Sequence, residues 1–271
     1  LRTHPLQEMR DLAELAQGEL GKVIPSFVRR AKKSNRHFPA MAKHRSDVMA
    51  AMQEMAAQFP SRSPASKESG VVLVDYDHGA EDQILAAALY PELHLPFSQL
   101  LKHVRTLTPE QRDKILDSYL AGRANRRHKP GRALEHAYYT FDILADFGVY
   151  RDLQRHRMLT QQRQLLSTNH GYVLPELMSE AGLEREYKEV MERAADVYTK
   201  IAADFPREAQ YAVPFGYRVR WYFSVNLRAL VWLCELRSMA QGHPAYRRVA
   251  QQMFLEVKRV HPRLARCFKF V

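Results

Sequence analysis

The chain has 271 residues, 46% of them hydrophobic, enough to bury a real core in one large domain or in one domain with appendages. No run approaches the roughly 18 to 20 apolar residues of a membrane span, and Leu1-Arg2-Thr3-His4-Pro5 lacks the apolar centre of a secretory signal, so a cytoplasmic protein without a membrane partner is expected. Forty-one Lys and Arg against thirty Asp and Glu leave a charge of +11, which favours anionic partners: nucleotides, phosphates or, on charge alone, nucleic acid.

The two cysteines, Cys234 in an apolar helical run and Cys267 near a basic tail, have no metal-type spacing and read as reduced thiols without a disulfide. A first residue of Leu rather than Met raises the expectation of a longer polypeptide.

In chain order, Leu6, Met9, Leu12, Leu15, Ala16 and Leu20 recur at helical spacing over 5–23, until Pro25 ends the pattern. A second helix is expected over 39–59, with Met41, Val48, Met49, Met52 and Met55 as a packing stripe. The Pro- and Ser-rich stretch 60–70 has the composition of a linker and marks a domain boundary. Val71 to Tyr76 is a β-rich run, followed by turn chemistry at Asp77-His78-Gly79 and helices over 80–90 and 96–106. Thr108-Pro109-Glu110-Gln111 has the form of a capping box for a helix reaching Leu120.

Arg123, Arg126, Arg127, His128 and Lys129 form a basic loop with no interleaved aromatic residue, the composition of a solvated connection rather than a base-stacking surface. Residues 137–147 are bulky and β-prone and predict a long strand. Helical spacing resumes over 149–160 and places Arg155-His156-Arg157 near that helix's end. A long helix over 184–205 is expected to bury Tyr187, Val190, Met191, Ala194, Val197, Tyr198 and Ile201. A strand over 217–223 follows, then a helix from Asn226 to Ala240 burying Leu227, Leu230, Val231, Leu233 and Cys234. The last helix starts at His243-Pro244 and stops at His261 before Pro262.

The two ends of the chain resemble each other. Setting Met9–Pro25 beside Tyr246–Pro262 pairs Arg10 with Arg247, Ala13 with Ala250, Glu19 with Glu256, Val23 with Val260 and Pro25 with Pro262, five identities in seventeen positions. Leu1-Arg2-Thr3 matches Leu236-Arg237-Ser238 after a two-residue gap. This pattern predicts three parts: 1–34, a helical extension like the carboxyl-terminal end of a preceding repeat; 35–70, a helix and linker; and 71–271, a complete domain.

Three adjacent groups that are cationic or easily protonated are costly to hold together unless an anion or electron-rich ring lies among them. A bare Arg-His-Arg triplet also suits a solvated helix end. The order of elements around it is more specific: the strand Val71 to Tyr76, Glu135-His136, the strand Tyr138 to Phe147, Gln154-Arg155-His156-Arg157, the strand Tyr217 to Phe223, Asn226-Leu227-Arg228 and Leu236-Arg237. This series resembles the flavin-dependent thymidylate synthases. The resemblance implies an α/β (α+β) fold with a mixed sheet and packed helices, a homo-oligomer or tandem-repeat assembly, and FAD bound between subunits. It makes His136, Arg155, His156, Arg157, Asn226 and Arg228 candidate FAD contacts. It makes Arg237 the candidate catalytic residue, holding the pyrimidine of a nucleotide such as deoxyuridylate while methylenetetrahydrofolate and NADPH act as co-substrates.

The sequence departs from the family pattern in the segment after the triplet. Arg163 stands in place of a Glu, Leu165 in place of a Ser and Ser167 in place of an Arg. Asp152 replaces a Gln before the triplet, Gln210 a nucleotide-binding Arg, Gln241 a His and Trp232 a polar flavin contact. Loss of one charged and one hydroxyl contact to a nucleotide phosphate costs about 3 to 5 kcal/mol. Two further readings follow: a non-catalytic structural or nucleotide- or nucleic-acid-binding half of a tandem protein, and arginines Arg155, Arg157, Arg228 and Arg237 that pair with Glu135, Asp142, Asp146 or Glu235 instead of a ligand.

Overall fold

A computed structural model of the chain describes residues 1–59 and 69–271; of the expected linker, 60–68 lie outside the described residues. The described residues fall into two compact units, 1–59 with 199–211 and 69–198 with 212–271.

In the first unit, α1 (Gln7–Val23) and α3 (Phe38–Ala57) form where helical periodicity predicts, and Pro25, which ends the first pattern, opens a further one-turn helix, α2 (Pro25–Val28). Their apolar faces are less covered than that periodicity implies. α1 buries Ala13 alone, and α3 buries no residue: Met41, Val48, Met52 and Met55 of the expected packing stripe are exposed.

The second unit is built on a four-stranded sheet ordered β1-β2-β4-β3, with β1 Gly70–Tyr76, β2 Tyr138–Asp146, β3 Thr160–Arg163 and β4 Arg218–Asn226. Every pairing is antiparallel. Alternation along the two central strands sends Tyr139, Phe141 and Ile143 of β2 and Val219, Trp221, Phe223 and Val225 of β4 into the core, as a pleated sheet with one covered face requires.

The helices of this unit are α4 (Ala80–Leu89), α5 (Phe97–Arg105), α6 (Pro109–Tyr119), α7 (Phe147–Leu153), α8 (Glu176–Glu180), α9 (Glu184–Asp204, whose last residues from 199 count with the first unit), α10 (Leu227–Arg237) and α11 (Pro244–Val260). The capping box at Thr108 forms in both directions, with Gln111 N donating to Thr108 Oγ1 and Thr108 N to Gln111 Oε1. α10 buries Leu227, Leu230, Val231, Leu233 and Cys234, and α11 packs on α10 and β1. Both cysteines are free and buried, and burial pushes both thiols up, that of Cys267 to about 12. No described helix is long and apolar enough to cross a membrane.

Two sequence expectations need correction here. The helix after β2 ends at Leu153 rather than Thr160, so the Arg-His-Arg triplet lies in the connection to β3. β3, Thr160-Gln161-Gln162-Arg163, is an edge strand of polar residues with no apolar alternation to reveal it. On α9, Val190 and Val197 are 57% and 42% exposed. The packing stripe is the narrower set Tyr187, Met191, Ala194 and Tyr198; one residue of helix turns by about 100°, which carries Val190 and Val197 off it.

Candidate functional site

Two strand-to-helix junctions fix the site. β2 runs into α7 through Asp146, whose carboxylate accepts from Val149 N at 2.9 Å, and β4 runs into α10 through Asn226, whose side-chain oxygen accepts from Ala229 N at 2.9 Å. Tyr138 pairs with Asn226 and Asp146 with Arg218, so the junctions lie at opposite ends of the β2–β4 ladder. α7 and the triplet then lead back toward the Asn226 end, because Thr160 at the start of β3 pairs with Ser224. Gln161 Nε2 donates to the carbonyls of Gln154 at 3.0 Å and His156 at 3.4 Å and ties the triplet to the strand edge.

At that end lies a pocket of about 800 Å³. Arg155, His156, Arg157, Asn226, Arg228 and Arg237 all line it, so six of the seven residues singled out from sequence come together from three segments. His136 lies apart. Its ring stacks on Phe97 at 5.6 Å in a neighbouring cavity of about 590 Å³ that shares Arg132, Glu135, Tyr138 and Asn226 with the first.

Arg123 and Lys129, read from sequence only as part of a solvated basic loop, also line the pocket, as do Arg132 and Tyr138, which the sequence did not single out. Arg123 is the exception to the reading of 123–129 as a solvated connection, which residues 124–129 otherwise follow. It is buried and donates to both oxygens of Glu235 at 2.7 and 2.5 Å, to the Cys267 carbonyl at 2.8 Å and to the His128 carbonyl at 2.7 Å. The usable signal was Glu235, an acid within an otherwise apolar helical run that needs a cation from elsewhere in the chain.

Seven cations and one carboxylate, Glu135, line the pocket. Four of the cations have acidic partners. Arg123 takes Glu235, Arg155 takes Asp152, and Arg132 and Arg228 share Glu135 at 3.1 and 2.8 Å. The two arginines and the direct hydrogen bonds hold the Glu135 carboxyl below its ordinary range. Arg228 also donates to the Pro130 carbonyl at 2.9 Å. That carbonyl is placed by Gly131, where a Cβ would overlap the Tyr119 hydroxyl.

The remaining three, Lys129, Arg157 and Arg237, have no carboxylate partner among the described residues. Of the four acids that could have neutralised the arginines, Glu135 alone does so: Asp142 pairs with Arg220, Asp146 caps α7 and Glu235 faces Arg123. The Nε of Arg237 is buried without a hydrogen-bond partner, and its guanidinium lies 5.6 Å from the Tyr246 ring centroid. Burial and the charge of Arg237 push the His156 imidazole down to about 4, so it is neutral at pH 7. Trp232 adds a flat apolar wall, with Arg126 over its ring at 5.8 Å. Such a pocket suits an anion joined to a planar ring.

The departures also have places. Asp152 is the partner of Arg155. Leu165 is 50% exposed, and the hydroxyl of Ser167 accepts from Asn169 N at 3.4 Å within its own turn. Gln241 is exposed beyond α10, and Gln210 belongs to the first unit. Among the described residues no group of His, Cys, Asp and Glu has metal-ligand geometry.

A UPF0159 protein of Chlamydia muridarum is 44% identical over all 271 residues, and a UPF0159 protein of Thermoplasma acidophilum is 33% identical over 96% of the chain. The chain spans about half the length of these curated relatives, 51% and 50%. A flavin-dependent thymidylate synthase of Sulfurisphaera tokodaii is 30% identical over 60% of the chain and 65% of its own length. The sequence model of the Thy1 family, described as thymidylate synthase complementing protein, matches residues 72–263, and the chain therefore belongs to the Thy1, or flavin-dependent thymidylate synthase, family.

Proposed function

We propose that the pocket binds FAD together with a pyrimidine nucleotide, and serves the reductive methylation of deoxyuridylate or a related substrate. The observation that carries this reading is the pair Arg157 and Arg237: two guanidinium groups line a pocket of about 800 Å³ and no carboxylate neutralises either among the described residues. Pocket volume is within the range of cofactor sites, about 300 to 1,000 Å³. The donor set fits a flavin dinucleotide. Arg155 and Arg157 offer planar forks for the pyrophosphate, and the orphaned Nε of Arg237 offers a donor for a pyrimidine carbonyl. Neutral His156 adds an aromatic edge without adding charge, and Trp232 a surface for ring stacking.

A bound flavin supplies hydride, and methylenetetrahydrofolate and NADPH are the one-carbon donor and reductant that the family resemblance implies. What this chain supplies is position and field. Asn226 leaves its amide NH2 uncommitted among the described residues while its oxygen caps α10. Arg228 donates to the Pro130 carbonyl, which aims it at the pocket wall, and also pairs with Glu135.

A second reading, a binding member without turnover, is favoured by Arg163, Leu165 and Ser167, which replace the phosphate-holding residues of the family pattern. Incubating the purified protein with FAD, deoxyuridylate, methylenetetrahydrofolate and NADPH separates the two. Thymidylate formation supports the first reading; flavin uptake without thymidylate supports the second; absence of flavin uptake overturns both.

A further inference from the structure

Helix α1 copies α11 in geometry as well as in sequence. At the offset that sets Met9 on Tyr246, the two helices share both boundaries, Gln7–Val23 and Pro244–Val260, 17 residues each. Each follows an extended residue, Leu6 at φ −76°, ψ 133° and His243 at φ −61°, ψ 132°. They end in the same uncommon cap: Ile24 at φ −130°, ψ 56° donates to the Leu20 carbonyl at 2.8 Å, and His261 at φ −133°, ψ 71° donates to the Val257 carbonyl at 2.8 Å. Pro25 and Pro262 follow. The matched arginines brace the chain ahead of each helix: Arg10 donates to the carbonyls of His4 and Pro5 at 2.7 and 2.6 Å, and Arg247 to that of Ser238 at 3.1 Å.

The two helices differ in what covers them. α11 buries Val249, Ala250, Met253 and Val257, none more than 5% exposed, against β1 and α10. The matching positions of α1 are Leu12, Ala13, Ala16 and Leu20; of these Leu12 is 50% and Leu20 44% exposed. Leu15, 70% exposed, matches Gln252, which is exposed on α11. The pair Leu12 and Leu20 thus repeats a core-facing stripe without its core.

We infer that α1 is the closing helix of a second domain of the Thy1 fold in the same polypeptide, and that Leu12 and Leu20 are its docking face. The occupant is that domain's own sheet edge and preceding helix, the counterparts of β1 and α10. The UPF0159 relatives, about half of whose length the chain matches, have the length for such a pair of domains.

The test compares amide hydrogen exchange over α1 in the 271-residue chain and in the full natural polypeptide. Each is taken unaltered, as the Leu12→Glu/Leu20→Glu double variant and as Leu15→Glu. The inference predicts exchange over residues 12–20 slowed at least tenfold in the full polypeptide, the slowing lost in the double variant and kept in Leu15→Glu. In the 271-residue chain the double variant leaves the melting temperature unchanged within about 2 °C, because both side chains are already exposed there. If the double variant of the full polypeptide does not fold, the unaltered proteins and Leu15→Glu still decide. Equal exchange in the two unaltered proteins overturns the inference. So does protection that appears in the 271-residue chain alone as it dimerises, which would put a second copy on the stripe.

Discussion

Glu235 and Arg123 meet as a buried bidentate pair, at 2.7 and 2.5 Å, two residues before Arg237 on the same helix. Two residues turn a helix by about 200°, so the acid faces the core and Arg237 the pocket. The carboxylate nearest in sequence to Arg237 is thereby consumed elsewhere, which leaves that guanidinium for a ligand.

The pair also ties the basic loop to the end of the chain, since Arg123 donates to the Cys267 carbonyl and Glu235 accepts from Lys269 N at 3.0 Å. Removal of one partner strands the other charge in the core. Arg123→Ala and Glu235→Ala should each lower unfolding free energy by about 3 to 5 kcal/mol. Chemical denaturation checks this; a loss below about 1 kcal/mol would show that the survivor reaches water or another partner.

Glu135 is the one acid lining the pocket, and it is about one-third exposed. Its ion pairs with the exposed Arg132 and with Arg228 are screened by solvent and therefore add little to stability. Glu135→Gln should leave the melting temperature almost unchanged and raise the affinity for FAD severalfold, with a steeper salt dependence. Isothermal titration at two salt concentrations measures both, and weakened binding would mean that Glu135 serves to aim Arg228.

His156 gives the site a pH signature. Its folded value, about 4, lies below the unfolded value of about 6.5. The unfolded chain therefore takes up the proton first as pH falls, and stability drops between pH 6.5 and 4 by on the order of 2 kcal/mol, discounted for partial exposure. Proton NMR of the imidazole should show a titration well below pH 6, and Arg237→Met should move it upward, because one of its two causes is removed. An ordinary titration near pH 6.5 would place His156 in solvent.

Much of the fold was legible because its signals are local. The Thr108 capping box, the proline that opens α11 and the alternation of β2 and β4 each act within a few residues. The site was legible through the order of its segments: Arg155 to Arg157, Asn226, Arg228 and Arg237 are far apart in the chain and meet because β3 and β2 both pair with β4 near Asn226. What stayed hidden depends on partners distant in sequence. The burial of Arg123 is set by Glu235, 112 residues away, and β3 is recognisable only from the strand it joins. The exposure of Leu12 and Leu20 was equally unreadable, since an apolar stripe shows that a face is to be covered and not what covers it.

The measurement closest to the central claim is titration of the purified chain with FAD, followed by flavin absorbance and fluorescence, alongside Arg157→Ala and Arg237→Ala. Saturable uptake by the unaltered chain is expected, with at least tenfold weaker binding in each variant at an unchanged melting temperature. No uptake, or variants that bind as tightly as the unaltered chain, would contradict that claim.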